Sequence, residues 1–413
     1  MKRQITFLFA AIFLLFAFRA EAEIHNVKRF FEVGIDTTFG FSNNYFDLRD
    51  ILVEDIVFNL QKIADGMPDD GWVIDFQSDM HNYVQFGIDD NFRFKFYANI
   101  EGSGYMNIEK SLFEVLGNGY SVGDKGTFNL DAYADLFLDT GVSFSKTVKG
   151  IGFTLGASYF MPLIYIPDTK ATVSYGTSSS GLIYTYAQAP VTIYSAMSLE
   201  SLIEDSSFTQ EEISDLLESL MTNGGFDISF SVEKQVVRTL NLGLFTRVPI
   251  IPGHLKYKAS TVYSAWFYET NFLGYIDETE ESDYDYTHDD FTYSSADYTV
   301  HRPFKLGIEG AWRPFGSWCT FAPMLAFVIR NPYSSDYICY PEYSLSADFT
   351  LIKIFGLFFE TAYLNRVFTQ RIGLSINAHL VELSFKAGFR SADFLNSFGW
   401  TGSTLTAGIK AGL

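Results

Sequence analysis

Phe226-Asp227-Ile228-Ser229-Phe230-Ser231-Val232-Glu233 alternates apolar and polar residues without a break. In a β-strand successive side chains leave on opposite faces, so this octet has one greasy face and one hydrophilic face. Between Phe128 and Leu413 the same period-two pattern recurs in about a dozen short segments. Nothing after the first 22 residues offers the ~20 consecutive apolar residues that a spanning helix needs. A chain crossing lipid must satisfy its backbone polar groups internally, which leaves helices or a closed barrel. The pattern therefore predicts an all-β fold, a transmembrane antiparallel β-barrel with only a few short helices. A secreted β-sandwich would alternate too, but it would have to cover its outward apolar faces with a second layer.

The chain opens with Met1-Lys2-Arg3, the apolar run Ile5 to Phe18, and the small residues Ala20-Glu21-Ala22. This is the layout of a secretory signal peptide cut after Ala22, so residues 1–22 are excluded from the fold. The remaining 23–413 are read as one barrel in the outer membrane of a diderm bacterium. The formal charge is −20, and removing Lys2, Arg3, Arg19 and Glu21 takes it to −22. Such acidity argues against nucleic acid or an anionic surface as partner. Aromatics make up 17 % of the chain, with 42 Phe and 25 Tyr, which suits a lipid-facing wall and interfacial girdles.

Sixteen candidate strands can be placed, among them Trp72–Ile88, Phe92–Asn107, Phe128–Ser145, Ile151–Ile166, Thr299–Arg313, Val381–Arg390 and Trp400–Leu413. Ala171–Met197 reads as one long strand and a loop. Boundaries found this way shift by several residues, so the expectation is about 14 strands, within a range of 14–16. Periplasmic turns are short and outer loops long. The tight turn Arg313-Pro314-Phe315-Gly316-Ser317 is thus assigned to the periplasm, and the acidic connection 269–298 to the outside.

Three stretches break the rhythm. Asp47–Ala64 carries apolar residues at helical spacing, which makes residues 45–70 a candidate hatch or plug. Ile108–Leu116 is a shorter helical stretch. Thr209–Met221 has a capping box in Thr209 and Glu212, a staple in Phe208 and Ile213, and a stop at Gly224. For each, a loop helix on the rim is the alternative to a plug.

Register assigns faces. Leu306, Ile308 and Trp312 share one face of their strand, leaving Lys305, Glu309 and Arg313 on the other. Leu383, Phe385 and Phe389 oppose Glu382, Lys386 and Arg390. A basic side chain facing lipid at mid-depth would cost ~2–4 kcal/mol, so the charged faces line the lumen. Asp131, Asp135 and Asp139 share one face as well. They form either a cation path or ion pairs with bases on neighbouring strands, for which Arg93 and Lys95 are candidates.

No HExxH, GxSxG, P-loop or CxxC pattern occurs, so no enzyme and no cofactor is expected. Asp277 to Asp290 holds eight acids but lacks the EF-hand spacing, and is read as a solvated external loop rather than a calcium site. Cys319 and Cys339 begin consecutive antiparallel strands. That puts them at opposite ends of a hairpin, beyond disulfide reach.

Phe30-Phe31-Glu32-Val33-Gly34-Ile35-Asp36 followed by Phe39-Gly40-Phe41-Ser42-Asn43-Asn44 resembles the mature start of a family of spirochaete outer-membrane proteins. Ala134-Asp135-Leu136-Phe137-Leu138-Asp139-Thr140-Gly141, Tyr159-Phe160-Met161-Pro162 and Arg302-Pro303-Phe304-Lys305 add to the likeness. That family is similar to the outer-membrane long-chain fatty-acid transporters. The resemblance implies a 14-stranded barrel, an N-terminal hatch and a hydrophobic ligand route. The transporters' Asn-Pro-Ala hatch motif has no match between Glu23 and Arg49, and the chain closes on Leu413 rather than an aromatic.

The functional expectation is passive uptake of a small hydrophobic or amphipathic ligand, long-chain fatty acids included, through a plugged lumen. The partners are that ligand and outer-membrane lipids, and the barrel is read as a monomer. A ligand carboxylate would meet Lys305, Arg313, Lys386 or Arg390, unless these are wall ion pairs. An open porin for hydrophilic solutes and a surface adhesin are the alternatives.

Overall fold

The computed structural model describes residues 29–47, 49, 59–89, 92–119, 121, 123–177, 183–200, 203, 210–269, 283–335, 337–351 and 354–413. Eighteen strands join in one antiparallel sheet. The first six are β1 (Phe31–Asn43), β2 (Trp72–Asp89), β3 (Phe92–Ile108), β4 (Lys125–Val148), β5 (Ile151–Thr177) and β6 (Ile183–Ser195). Next come β7 (Gly225–Val237), β8 (Leu240–Ile251), β9 (Gly253–Glu269), β10 (Asp283–His288), β11 (Thr292–Val300) and β12 (Phe304–Trp312). The last six are β13 (Cys319–Arg330), β14 (Ile338–Leu351), β15 (Phe355–Leu364), β16 (Val367–Asn377), β17 (Val381–Ser391) and β18 (Gly402–Gly412).

Fourteen of these close a barrel, in the order β1–β5, β7, β8 and β12–β18. The seam is β1 against β18, with Val33 opposite Ala411 and Thr38 opposite Thr406. Closure leaves the barrel itself no free strand edge, the condition for a sheet to cross lipid. The alternation works out as the sequence demands. Leu244, Ile308, Phe327, Leu345, Leu374 and Phe385, from six wall strands, are each between 46 % and 62 % exposed, while Ser346, Ser375 and Lys386 beside them are buried. Aromatics gather at both ends. Trp312 packs on Phe321 and Phe315 on Trp318 near the short turn 313–318, and Phe394 on Phe398 and Phe389 on Trp400 at the other end. Both described termini lie at the 313–318 end, the end of the short turns expected to face the periplasm, and the opposite end is called the outer one.

The other four strands form an extension beyond the outer end. At one level, three proline-bearing points divert the wall. β5 leaves β7 at Phe160, opposite Gly225, and pairs with β6 from Ile164 onwards. Pro252 separates β8 from β9, and His301-Arg302-Pro303 separates β11 from β12. Proline has no N–H to give a ladder, so these are natural interruptions. Gly253 makes the close approach feasible, because a Cβ there would lie 2.5 Å from Pro162 Cδ. Above this level β5, β6, β9 and then β10 and β11 continue as a projecting sheet.

The predicted strand Thr299–Arg313 is thus two strands, broken at Arg302 and Pro303. Ala171–Met197 supplies the end of β5 and the whole of β6. The connection 269–298 contains β10 and β11, which pair with β9, so it is only partly loop. Residues 270–282, with four of the eight acids between Asp277 and Asp290, lie outside the described residues.

Three short helices are described. α1 (Leu60–Gly66) packs on α2 (Lys110–Asn118), with Ile63, Met67 and Phe113 in a small core beside Trp72 and Tyr45. This core sits over the outer ends of β1 to β4, on the rim. The greater part of the Asp47–Ala64 stretch lies outside the described residues. α3 (Gln210–Thr222) matches the predicted helix, whose Thr209 and Phe208 are also outside them. No helix among the described residues is long and apolar enough to cross a membrane. Cys339 lies opposite Ile329, and Cys319 opposite Phe349, so the two free thiols stand ten register positions apart.

Candidate functional site

The lumen is built from the polar faces. Between β15 and β2 it is filled by wall side chains. Arg390 donates to Asp75 and, at 3.1 Å, to Gln77, with only 2 % of its side chain exposed. Lys386 lies 3.7 Å above the centre of the Phe358 ring, and Arg371 pairs with Glu360 at 2.5 Å. On the opposite side, lined by β2–β5, β7, β8 and β12–β15, a cavity of about 800 Å³ remains. Glu233, Asn241 and Ala311 line both its inner end and a rim cavity of about 240 Å³ that also includes Arg238 and Arg313.

The outer end of the cavity is closed by arginines that reach across the lumen. Arg302 has 1 % of its side chain exposed; it pairs with Glu101 on β3 at 2.5 Å, with Asp139 on β4, and with Asp227 on β7 at 3.6 Å. Its own link precedes β12, so four wall strands lie between it and β3. Arg330, at the end of β13, pairs with Asp135 on β4 at 3.2 Å and stacks over Tyr133 at 3.3 Å. Arg366, in the β15–β16 turn, lies 5.8 Å from the Tyr105 ring on β3.

An apolar and aromatic cluster stands at the level where the wall divides. Phe137, Phe160, Met161, Tyr165, Leu255 and Val300 form it, and Leu216 and Leu220 of α3 pack against it. Tyr298 stacks on Tyr194 at 4.0 Å and on Tyr165 at 5.5 Å. Arg302 lies 5.8 Å from the Phe160 ring, so the charged bar and the apolar cluster are in contact. Greasy and ionic surfaces meet here within one side chain's reach.

The predicted site residues do not come together in one place. Lys305 and Glu309 line the cavity, with Lys305 paired to Glu342 at 2.5 Å. Asp135 and Asp139 hold the crossbars. Their partners Arg330 and Arg302 come from across the lumen, not from neighbouring strands, and Lys95 instead contacts His81 at 2.9 Å. Lys386 and Arg390 sit within the filled side, and Arg313 belongs to the periplasmic rim. Asp131 is further out, 3.9 Å from Lys170 on β5. Lys305 and Arg390 form ion pairs with the wall residues Glu342 and Asp75. Glu101, Asp227, Arg247, Arg302 and Arg330 were not singled out from sequence. A proline within a presumed strand was the available signal for Arg302.

This is an outer-membrane β-barrel protein. Closure, an apolar outer belt and aromatic girdles at both ends place it there. No family model matches the sequence, and no curated protein matches it. Among solved structures it is similar to the P. putida toluene transporter TodX (TM-score 0.43, 11 % identity, 92 % of this chain and 88 % of that one). The Ralstonia pickettii toluene transporter TbuX gives 0.42 and 10 %, over 94 % and 90 % of the chains. A Pseudomonas aeruginosa FadL homologue gives 0.40 and 8 %, over 93 % and 90 %. The likeness is one of fold alone.

Proposed function

We propose that the protein is a passive channel for small hydrophobic or amphipathic molecules, whose route is the lumen and whose closure is made by its own wall side chains. The observation that carries this reading is the contact of Arg302 with the aromatic cluster on one side and with the roughly 800 Å³ vestibule on the other. A molecule arriving at the cluster finds apolar surface to leave water for, and among the described residues the arginine bars stand between it and the vestibule.

Two measurements test it. Vesicles with a lipopolysaccharide outer leaflet exclude the neutral dye N-phenylnaphthylamine, and the reconstituted protein should admit it. In planar bilayers the same protein should show small conductance, because the bars are closed. Large, steady conductance with no dye entry would instead identify an open porin for hydrophilic solutes.

A further inference from the structure

On the outside of the wall, at its short-turn end, the geometry points to a binding site for an anionic phospholipid, made by Lys146, Lys149 and Lys234. Register brings the three together. Lys146 on β4 stands opposite Phe153 of β5, and Lys234 on β7 stands opposite Ile151, one pleat nearer the end. Neighbouring strands are ~4.8 Å apart, so the two lysine stems leave the wall on either side of β5, roughly 10 Å apart across the sheet. Lys149 lies in the turn that joins β4 to β5. Its φ of 52° and the 77° of Gly150 make a tight hairpin turn whose positions Asn, Asp and Gly usually fill. The third base is thus fixed at the end of the same two strands.

All three lysines are exposed. Lys146 shares its face of β4 with Val142 and Phe144, and Lys234 its face of β7 with Ile228 and Phe230, exposed apolar residues of the lipid-facing belt. The stems therefore start in hydrocarbon, and the ammonium groups reach to its edge, as long basic side chains do at membrane interfaces. Among the described residues none of the three has an ion-pair partner. Glu233, next to Lys234 in sequence, is on the inward face and lines the cavity. Elsewhere the same margin differs. From β12 to β17 it exposes Trp312, Leu351, Phe355 and Ile376, which carry no charge to discriminate between head groups. Three ammonium groups in one sector favour a negative head group. Beside them Phe144 and Phe153 are each 39 % exposed and Leu155 is 56 % exposed, an apolar strip for acyl chains. A soluble anion would use none of that strip. The occupant is therefore a phospholipid, its phosphate at the lysines and its chains along β5, whatever passes through the lumen.

Native mass spectrometry of the purified protein tests this, with phosphatidylglycerol and phosphatidylcholine of identical chains added in equal amounts. The wild-type protein should retain phosphatidylglycerol at least about fivefold better, the worth of one lysine beside an anionic surface. The triple variant K146Q/K149Q/K234Q should bring the two lipids to parity, whereas K146R/K149R/K234R should keep the preference. K125Q, which removes an exposed lysine at the outer start of β4, should leave it unchanged. Heat-modifiable gel mobility confirms that each variant is folded. Equal retention of the two lipids by wild type, or a preference that survives the triple glutamine variant, overturns the site. Displacement of the lipid by excess inorganic phosphate would make the cluster a soluble-anion site and overturn it likewise.

Discussion

Arg302 Nη2 lies 2.5 Å from Glu101 Oε2, joining residues that are four wall strands apart. The contact runs across the lumen, so it ties the link above β12 to β3.

Replacing Arg302 by methionine should open the bar and expose its cost. Glu101, Asp139 and Asp227 would lose their shared cation, and breaking a buried pair by removing one partner costs ~3–5 kcal/mol. Single-channel recording should show larger conductance than wild type, and urea unfolding in detergent a lower midpoint. Unchanged conductance would mean that Arg302 does not close the path.

On the outer wall the sensitivity reverses. Leu374 is 62 % exposed in mid-strand, and Leu374→Arg should cost ~2–4 kcal/mol in a bilayer, because the charge meets lipid at depth. Leu374→Phe should be nearly neutral. Equilibrium unfolding from lipid vesicles reads the difference, and an L374R variant as stable as wild type would put that face away from the membrane.

The thiols offer a simple count. Cys339 is exposed and Cys319 buried. A membrane-impermeant maleimide should label one site in the folded protein and two after denaturation, without prior reduction. Labelling that needs reductant would show a disulfide.

In the projecting sheet, Asp297 accepts from His254 Nδ1 at 2.9 Å and from Lys256 Nζ at 3.2 Å. The His254 hydrogen bond, followed by that of Lys256, holds its carboxyl below the ordinary aspartate range. A depressed carboxyl contributes stability above its unfolded value of about 3.9, and that contribution is lost as pH falls through the folded value. Protection factors of β9 and β11 amides, which correct for the intrinsic pH dependence of exchange, should accordingly fall below about pH 4. In Asp297→Asn they should not show that fall.

The barrel was legible because its signal is local. Val381–Arg390 alternates so strictly that the inward positions of Glu382, Lys386 and Arg390 follow from register alone, and the structure buries all three. The same logic applied segment by segment places sixteen strands; the wall has fourteen, because His254–Tyr268 and most of Ala171–Met197 belong to the extension. What could not be read was long range. Arg302 and Glu101 are 201 residues apart, and no periodicity links a residue to its partner across a lumen. Nor does alternation stop where a strand leaves the wall: β9, β10 and β11 have membrane-like patterning yet belong to the extension. Asp131 shares a face with Asp135 and Asp139, but β4 is long enough to carry it above the cavity.

The pairing of Val33 with Ala411 also constrains how the molecule is made. A polypeptide exported N-terminus first delivers β1 long before its left-hand neighbour exists. Throughout that interval one margin of β1 offers unanswered amides and carbonyls, a template for stray association. The hoop can be fastened only by its last arrival, so periplasmic escort must persist until β18 is in hand, and shearing off those few final residues would leave a finished wall with an unbuttoned side.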